Sequence, residues 1–291
     1  MFAKTLYFIL GLVGITFFLR EIRQEEPSAK PEIFIIGTIH SMHFNPDFNY
    51  SIIDLQTQIS ALNPDLVCGE IAPEAFEQIT EGYFPPEAIY LAEMAPKLNY
   101  RFVPVDWRLD YDTQSKADSL YPESVMKQVL SFGSTYFAKM MESYNQSIYD
   151  EIHRESNIAI VDSVFEKIIG ANPIAEIAHG NWHERNRRIV ANGLTAAKNA
   201  RRIVFVIGSD HIPQIRRQLN DLGFVPQIPK RLFVPSNNFK VPNEVMERWK
   251  NNLENLYLIR DKKIPTSDDY YLKIINSRRL QELELAIQKS S

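Results

Sequence analysis

The sequence predicts an α/β protein with a central, mostly parallel sheet, made of two related halves around a helical middle segment. Three observations carry that prediction. One short pattern occurs twice, as Glu32-Ile33-Phe34-Ile35-Ile36-Gly37-Thr38-Ile39-His40 and as Arg202-Ile203-Val204-Phe205-Val206-Ile207-Gly208-Ser209-Asp210-His211. Each copy is a β-branched and aromatic run stopped by a glycine, with a histidine three positions later, and reads as a strand buried on both faces. A strand–helix–strand succession over residues 32–71 has the form of a parallel crossover. Between the two copies, apolar residues recur at helical rather than alternating spacings.

Composition narrows the classes. The chain has 291 residues, 45% hydrophobic and 23% charged, which is ordinary for a folded protein and allows a substantial core. A net charge of −4 gives no support for nucleic-acid binding, which favours a basic surplus. Cys68 is the single cysteine, so an internal disulfide framework and a cysteine-based structural zinc site are excluded.

In chain order, residues 2–19 are apolar apart from Lys4 and Thr5 and a few small interruptions, and a polar linker through Pro27 and Pro31 follows. A charged amino end before an apolar run is the pattern of a secretory signal, and no small-x-small cleavage site follows it. Residues 1–30 are therefore read as an uncleaved signal anchor and linker, placing the folded domain on the extracytoplasmic side of a membrane. The alternative is a cleaved signal and a secreted or periplasmic product. Residues 31–235 form the expected domain, and 236–291 a helical extension packed on it.

The first strand ends at Gly37, which is expected to let the chain leave the sheet in a conformation barred to residues with a Cβ. His40 then stands at the carboxyl end of a strand, where open α/β sheets keep their sites. His43 is read as a loop histidine facing solvent or substrate, or as a ligand or a partner to one. Residues 51–62 carry an apolar stripe of helical period and stop at Asn63-Pro64. A second strand over 65–71 carries Glu70 to the same sheet end, and a third over 100–105 leads to Asp106-Trp107-Arg108, read as an ion pair at the cleft edge. Cys68 reads as a small buried hydrophobe. Residues 122–194 are mostly helical; Asn172-Pro173 opens a helix expected to hold His179, His183, Glu184, Arg185 and Asn186. The tail has helices near 245–258 and 270–288.

Two imidazoles and a carboxylate at strand ends form a set suited to zinc, manganese, cobalt or iron with open coordination positions. His40, Glu70 and His211, about 170 residues apart at the extremes, are that set, with Glu70 as ligand or general base. A bound metal lowers the pKa of its water and polarises a carbonyl. His179 and His183, four apart, form a second candidate pair if they share a helix face. Arg185 and Asn186 are candidates for binding a carbonyl or an oxyanion.

Gly37-Thr38-Ile39-His40, Glu70, Glu184-Arg185-Asn186 and Gly208-Ser209-Asp210-His211 appear in the order seen in the TraB/PrgY/Tiki group, within the wider superfamily of erythromycin esterases and ChaN-like haem-binding lipoproteins. The chain resembles that group over roughly residues 32–225. The resemblance implies an α/β fold of two related halves with both Gly-x-x-His motifs facing one cleft. It implies His40, Glu70 and His211 as functional positions, with Arg185 assisting. Tiki members are similar to divalent-metal-dependent, membrane-anchored proteases, which implies a hydrolase of peptide or protein substrates using manganese, cobalt or zinc. Two alternatives stay open: a non-catalytic haem- or peptide-binding protein, as with ChaN, and a metal-independent esterase-like hydrolase with His40 as base.

Overall fold

The computed structural model describes residues 30–144, 146–265, 273, 275 and 278–291. The amino-terminal apolar run and part of the helix expected at 270–288 lie outside them. No described helix is long and apolar enough to cross a membrane.

Four strands form where β-branched runs predict them: β1 (Glu32–Thr38), β2 (Leu66–Gly69), β3 (Arg101–Pro104) and β4 (Arg202–Gly208). They pair in parallel in the order β1-β4-β2-β3, so the class is α/β and the strand latest in sequence fills the middle. Its position follows from composition, because six consecutive residues of β4, Ile203 to Gly208, are buried. The outer side of β1 is covered by one bridge, in which Ile35 N–H donates to Gln227 C=O and Gln227 N–H to Ile33 C=O.

Alternation along the strands builds two core layers. Ile33, Ile35, Cys68, Ile203, Phe205 and Ile207 pack on one side against Ile189, Val190, Ile215 and Leu219. Those come from α8 (Trp182–Ala196) and α9 (Ile212–Asp221). Ile36, Val67, Val204 and Val206 face the other way, onto α1 (Ile52–Leu62), α2 (Pro86–Leu98), α10 (Asn243–Arg260) and α11 (Arg278–Ser290). Cys68 is the buried hydrophobe expected, and burial raises its thiol pKa. Val245, Trp249, Leu256 and Leu283 belong to the same core as the strands, and Pro31–Ser291 is one compact unit.

Helix α1 starts as its sequence indicates: Ser51 accepts from Asp54 N–H while the Asp54 carboxylate accepts from Ser51 N–H. The middle holds α3 (Tyr111–Ser119), α4 (Glu123–Ser143), α5 (Ile148–Ile152), α6 (Glu155–Val164) and α7 (Pro173–Ala178). The single helix expected to carry both His179 and His183 is instead two. Gly180 (φ 79°) and Asn181 (φ 56°) take left-handed backbone between α7 and α8, so the two histidines share no helix face.

Candidate active site

The sheet register brings the candidate residues to one end. Thr38 pairs with Gly208 and Gly69 with Val206, so the segments carrying His40, Glu70 and His211 leave β1, β2 and β4 side by side. Asp106 follows β3 and is held there by its N–H donating to Ile71 C=O.

The two motif glycines have a different role from the one expected. Neither Gly37 nor Gly208 has positive φ. They allow close approach: a Cβ on Gly208 would lie 2.9 Å from His40 Nε2 and 3.3 Å from Glu70 Oε2, and one on Gly37 would lie 2.8 Å from Ile212 Cδ1. The left-handed residue is His40 itself, at φ 52°. That is a sparsely populated conformation for a side chain of this kind, of the sort that clusters at functional sites.

His40 Nδ1–H donates to Glu87 Oε1 at 2.7 Å, and its Nε2 lies 4.0 Å from Glu70 Oε2. Burial works to lower its pKa, but the charges of Glu87 and Glu70 outweigh that and raise it. Glu70 is fully engaged: Oε1 accepts from Arg185 Nη2 at 2.9 Å and Oε2 from Gly208 N–H at 2.8 Å. Burial would raise the Glu70 pKa, yet His40 and Arg185 hold the carboxyl well below the usual carboxylate range. Asp106, wholly buried, accepts from Arg185 Nε at 2.8 Å and Nη2 at 3.1 Å, and Arg108 Nη2 stands 2.9 Å from its Oδ2. The Asp106–Arg108 pair expected at a cleft edge is therefore part of a buried network of two carboxylates and two guanidinium groups.

His211 closes the other side. Asn186 donates its Nδ2–H to Trp182 C=O, which turns its Oδ1 toward the imidazole, and His211 Nδ1–H donates to that oxygen at 2.7 Å. The ring stacks on Trp182 with centroids 4.2 Å apart, and Trp182 stacks on Phe165 at 4.1 Å. Burial, and then the Arg185 charge, push the His211 pKa down to about 3.

The structure thus gathers His40, Glu70, Asp106, Arg108, Arg185, Asn186 and His211, and leaves His43, His179 and His183 apart. His43 does not face solvent or substrate. It is wholly buried, donating Nδ1–H to Tyr50 C=O and accepting from Ile39 N–H, so it braces the turn that presents His40. His183 is bonded to Glu166 and Glu176 rather than to the residues around Glu70. Among the described residues no three His, Cys, Asp or Glu side chains stand grouped as a metal cage.

Three contributors escaped sequence reasoning. Glu87 lies in the first turn of α2 after Pro85-Pro86 and reads as a helix-start acid. Trp182 reads as core. Arg279 lies on α11, which packs on the turn His40–Phe44, and its charge reaches Glu70 and His40. No family model, curated protein or solved structure matches this chain.

Proposed function

We propose that this cluster is the active site of a hydrolase acting on a peptide bond, held at a membrane by residues 1–30, with the two-halved fold of the superfamily it resembles. One observation carries the reading. Each motif histidine donates its Nδ1–H to a protein oxygen, Glu87 for His40 and Asn186 for His211, which leaves Nε2 as the lone-pair atom of each neutral ring, with that of His40 4.0 Å from Glu70 Oε2. Bracing of this kind is what metal-ligating and base histidines need.

The proposed cation (manganese, cobalt or zinc) would be held by His40, Glu70 and His211, whose chemistry suits it, although the described residues are not already grouped as a cage. Such an ion, when bound, supplies a water of lowered pKa and a polarised carbonyl. The chain's own groups do the rest. Glu87 fixes the His40 tautomer and Asn186 that of His211. Arg185 uses Nε and Nη2 on Asp106 and Glu70, which leaves Nη1 as a donor for a developing oxyanion. Trp182 and Phe165 wall the His211 side against water.

A second reading is supported by the 2.7 Å His40–Glu87 contact, a carboxylate-oriented imidazole that can serve as general base without metal. The two separate cleanly. Full-length protein in detergent is assayed for metal content and for cleavage of a peptide library, with and without chelator. Loss on chelation and rescue by metal supports the first reading, and activity that survives chelation the second. Full activity in both His40→Ala and His211→Ala would sink the site. A Soret band on adding haem, with no cleavage, would mark a binding protein instead.

A further inference from the structure

The open edge of β1 ends in a clamp made of side chains. Ile33 and Ile35 turn backbone groups outward to Gln227, and with a period of two Gly37 is the next residue to do so. Its N–H donates to His153 Nε2 at 2.7 Å, and its C=O accepts from the Tyr50 O–H at 3.2 Å. Both of those side chains are buried. Because Nε2 accepts, the His153 proton sits on Nδ1, which donates to Tyr149 C=O at 2.8 Å. The ring lies against Tyr149 with centroids 3.9 Å apart, and Tyr149 meets Tyr50 edge-on at 5.1 Å. Burial pushes the His153 pKa down to about 4, so the ring is an uncharged acceptor through the neutral range.

The second copy of the motif offers a comparison. Its glycine, Gly208, donates its N–H to Glu70 Oε2 at 2.8 Å. Gly37 is the counterpart in the first copy, and for it His153 supplies the acceptor that Glu70 supplies for Gly208. An acceptor from a distant segment thus fixes the glycine ahead of each motif histidine. Past Gly37 the turn is held again: His43 Nε2 accepts from Ile39 N–H, and His43 Nδ1–H donates to Tyr50 C=O. Tyr50 therefore ties both ends of the turn together. His40 lies inside it at φ 52°, a conformation that persists only where surrounding contacts over-determine it. We propose that His153 is a positioning residue for His40, acting through the Gly37 backbone that it grips together with Tyr50. The inference rests on the reading of His40 as a site residue. It gives the helical middle a part in the site, because α5, capped at its carboxyl end by His153, then sets where the turn begins.

The test uses the full chain in detergent and reads the His40 ring directly. With chelator present, the Nδ1–H proton that His40 gives to Glu87 is followed by NMR and assigned by its absence in His40→Ala. His153→Leu keeps bulk and removes the acceptor, so it should shift or abolish that resonance. It should also lower kcat for peptide cleavage by about tenfold to a hundredfold with KM within about twofold, since a small misplacement of a reacting group is felt in turnover. His153→Gln, whose Oε1 can accept from Gly37 N–H, should restore the resonance and most of kcat, which filling the same space would not do. Tyr50→Phe takes one hydroxyl from the clamp and should shift the resonance too; it decides the matter if circular dichroism shows that His153→Leu does not fold. An unmoved His40 resonance in folded His153→Leu, or failing that in Tyr50→Phe, would overturn the proposal. So would His153→Gln behaving as His153→Leu does. If the unaltered protein cleaves no peptide, the hydrolase reading falls, and the resonance still decides whether His153 places His40.

Discussion

His40 and His211 leave adjacent parallel strands through two copies of one Gly-x-x-His sequence, yet they end in opposite electrostatic states. His40 is 22% exposed, takes left-handed backbone and gives its Nδ1–H to a carboxylate, so its pKa rises above the ordinary 6.5. His211 is 4% exposed, lies flat on Trp182 and gives its Nδ1–H to a neutral amide, so burial prevails and the pKa falls to about 3. A repeated motif fixes where an imidazole stands, while the partner on the far side of the ring decides whether it carries charge. If the site is hydrolytic as proposed, His40 is the ring suited to carry a proton and His211 the one that stays an uncharged donor of a lone pair.

The largest effect expected is on turnover. His40→Ala and His211→Ala should each lower peptide cleavage by roughly a hundredfold to ten-thousandfold with the fold intact, read by library cleavage and circular dichroism. If only one of them matters, the two histidines do not form one site. Next comes the network between them. Arg185→Leu leaves Glu70 and Asp106 buried without their shared guanidinium and should destabilise the protein by about 3–5 kcal/mol in urea unfolding. Arg185→Lys should not recover it, because one ammonium cannot reproduce the fork that holds both carboxylates.

Exchanging partners should exchange the protonation states. Asn186→Asp gives His211 a carboxylate and should raise its pKa by about 1–3 units, and Glu87→Gln should lower that of His40 below its ordinary value. Imidazole NMR titration reads both, and identical titration of the two rings in the unaltered protein would remove the contrast at its source. The last effect is on stability against pH. His153 is also buried, its Nε2 accepting from Gly37 N–H at 2.7 Å. An unfolded chain protonates His211 and His153 below about pH 6.5, but the folded chain resists to about 3 and about 4, so stability falls with falling pH by about 1.4 kcal/mol per unit for each histidine. His40 works in the opposite sense: its raised pKa adds stability below 6.5 that is lost as pH rises through the folded value. Urea midpoints from pH 7 down to pH 5 check this, and a flat profile contradicts it.

The parts legible in the sequence were those decided by local chemistry. Runs such as Ile203-Val204-Phe205-Val206-Ile207 read as a buried strand, and the apolar stripe over residues 51–62 marks a helix without help from the rest of the chain. What depended on distant segments was not legible. His43 looks like any loop histidine until Tyr50 folds back over it. Glu87 becomes a partner of His40 only when α2 docks beside the turn after β1. Gly180-Asn181 was the hardest of the local cases, since a single glycine in a helical pattern is tolerated as often as it breaks one. Arg279 has no local mark at all, because its role comes from where α11 packs.

The central place of β4 has a bearing on synthesis. Glu32 and Arg202, 170 positions apart, must meet before β1 and β2 share a neighbour, so the sheet stays open until most of the chain is available. A polypeptide emerging from a ribosome, or threading through a translocation pore, would carry His40 and Glu70 for most of its transit with no second imidazole to face. A cleavage site of the kind proposed would therefore stay incomplete until most of the chain has been made.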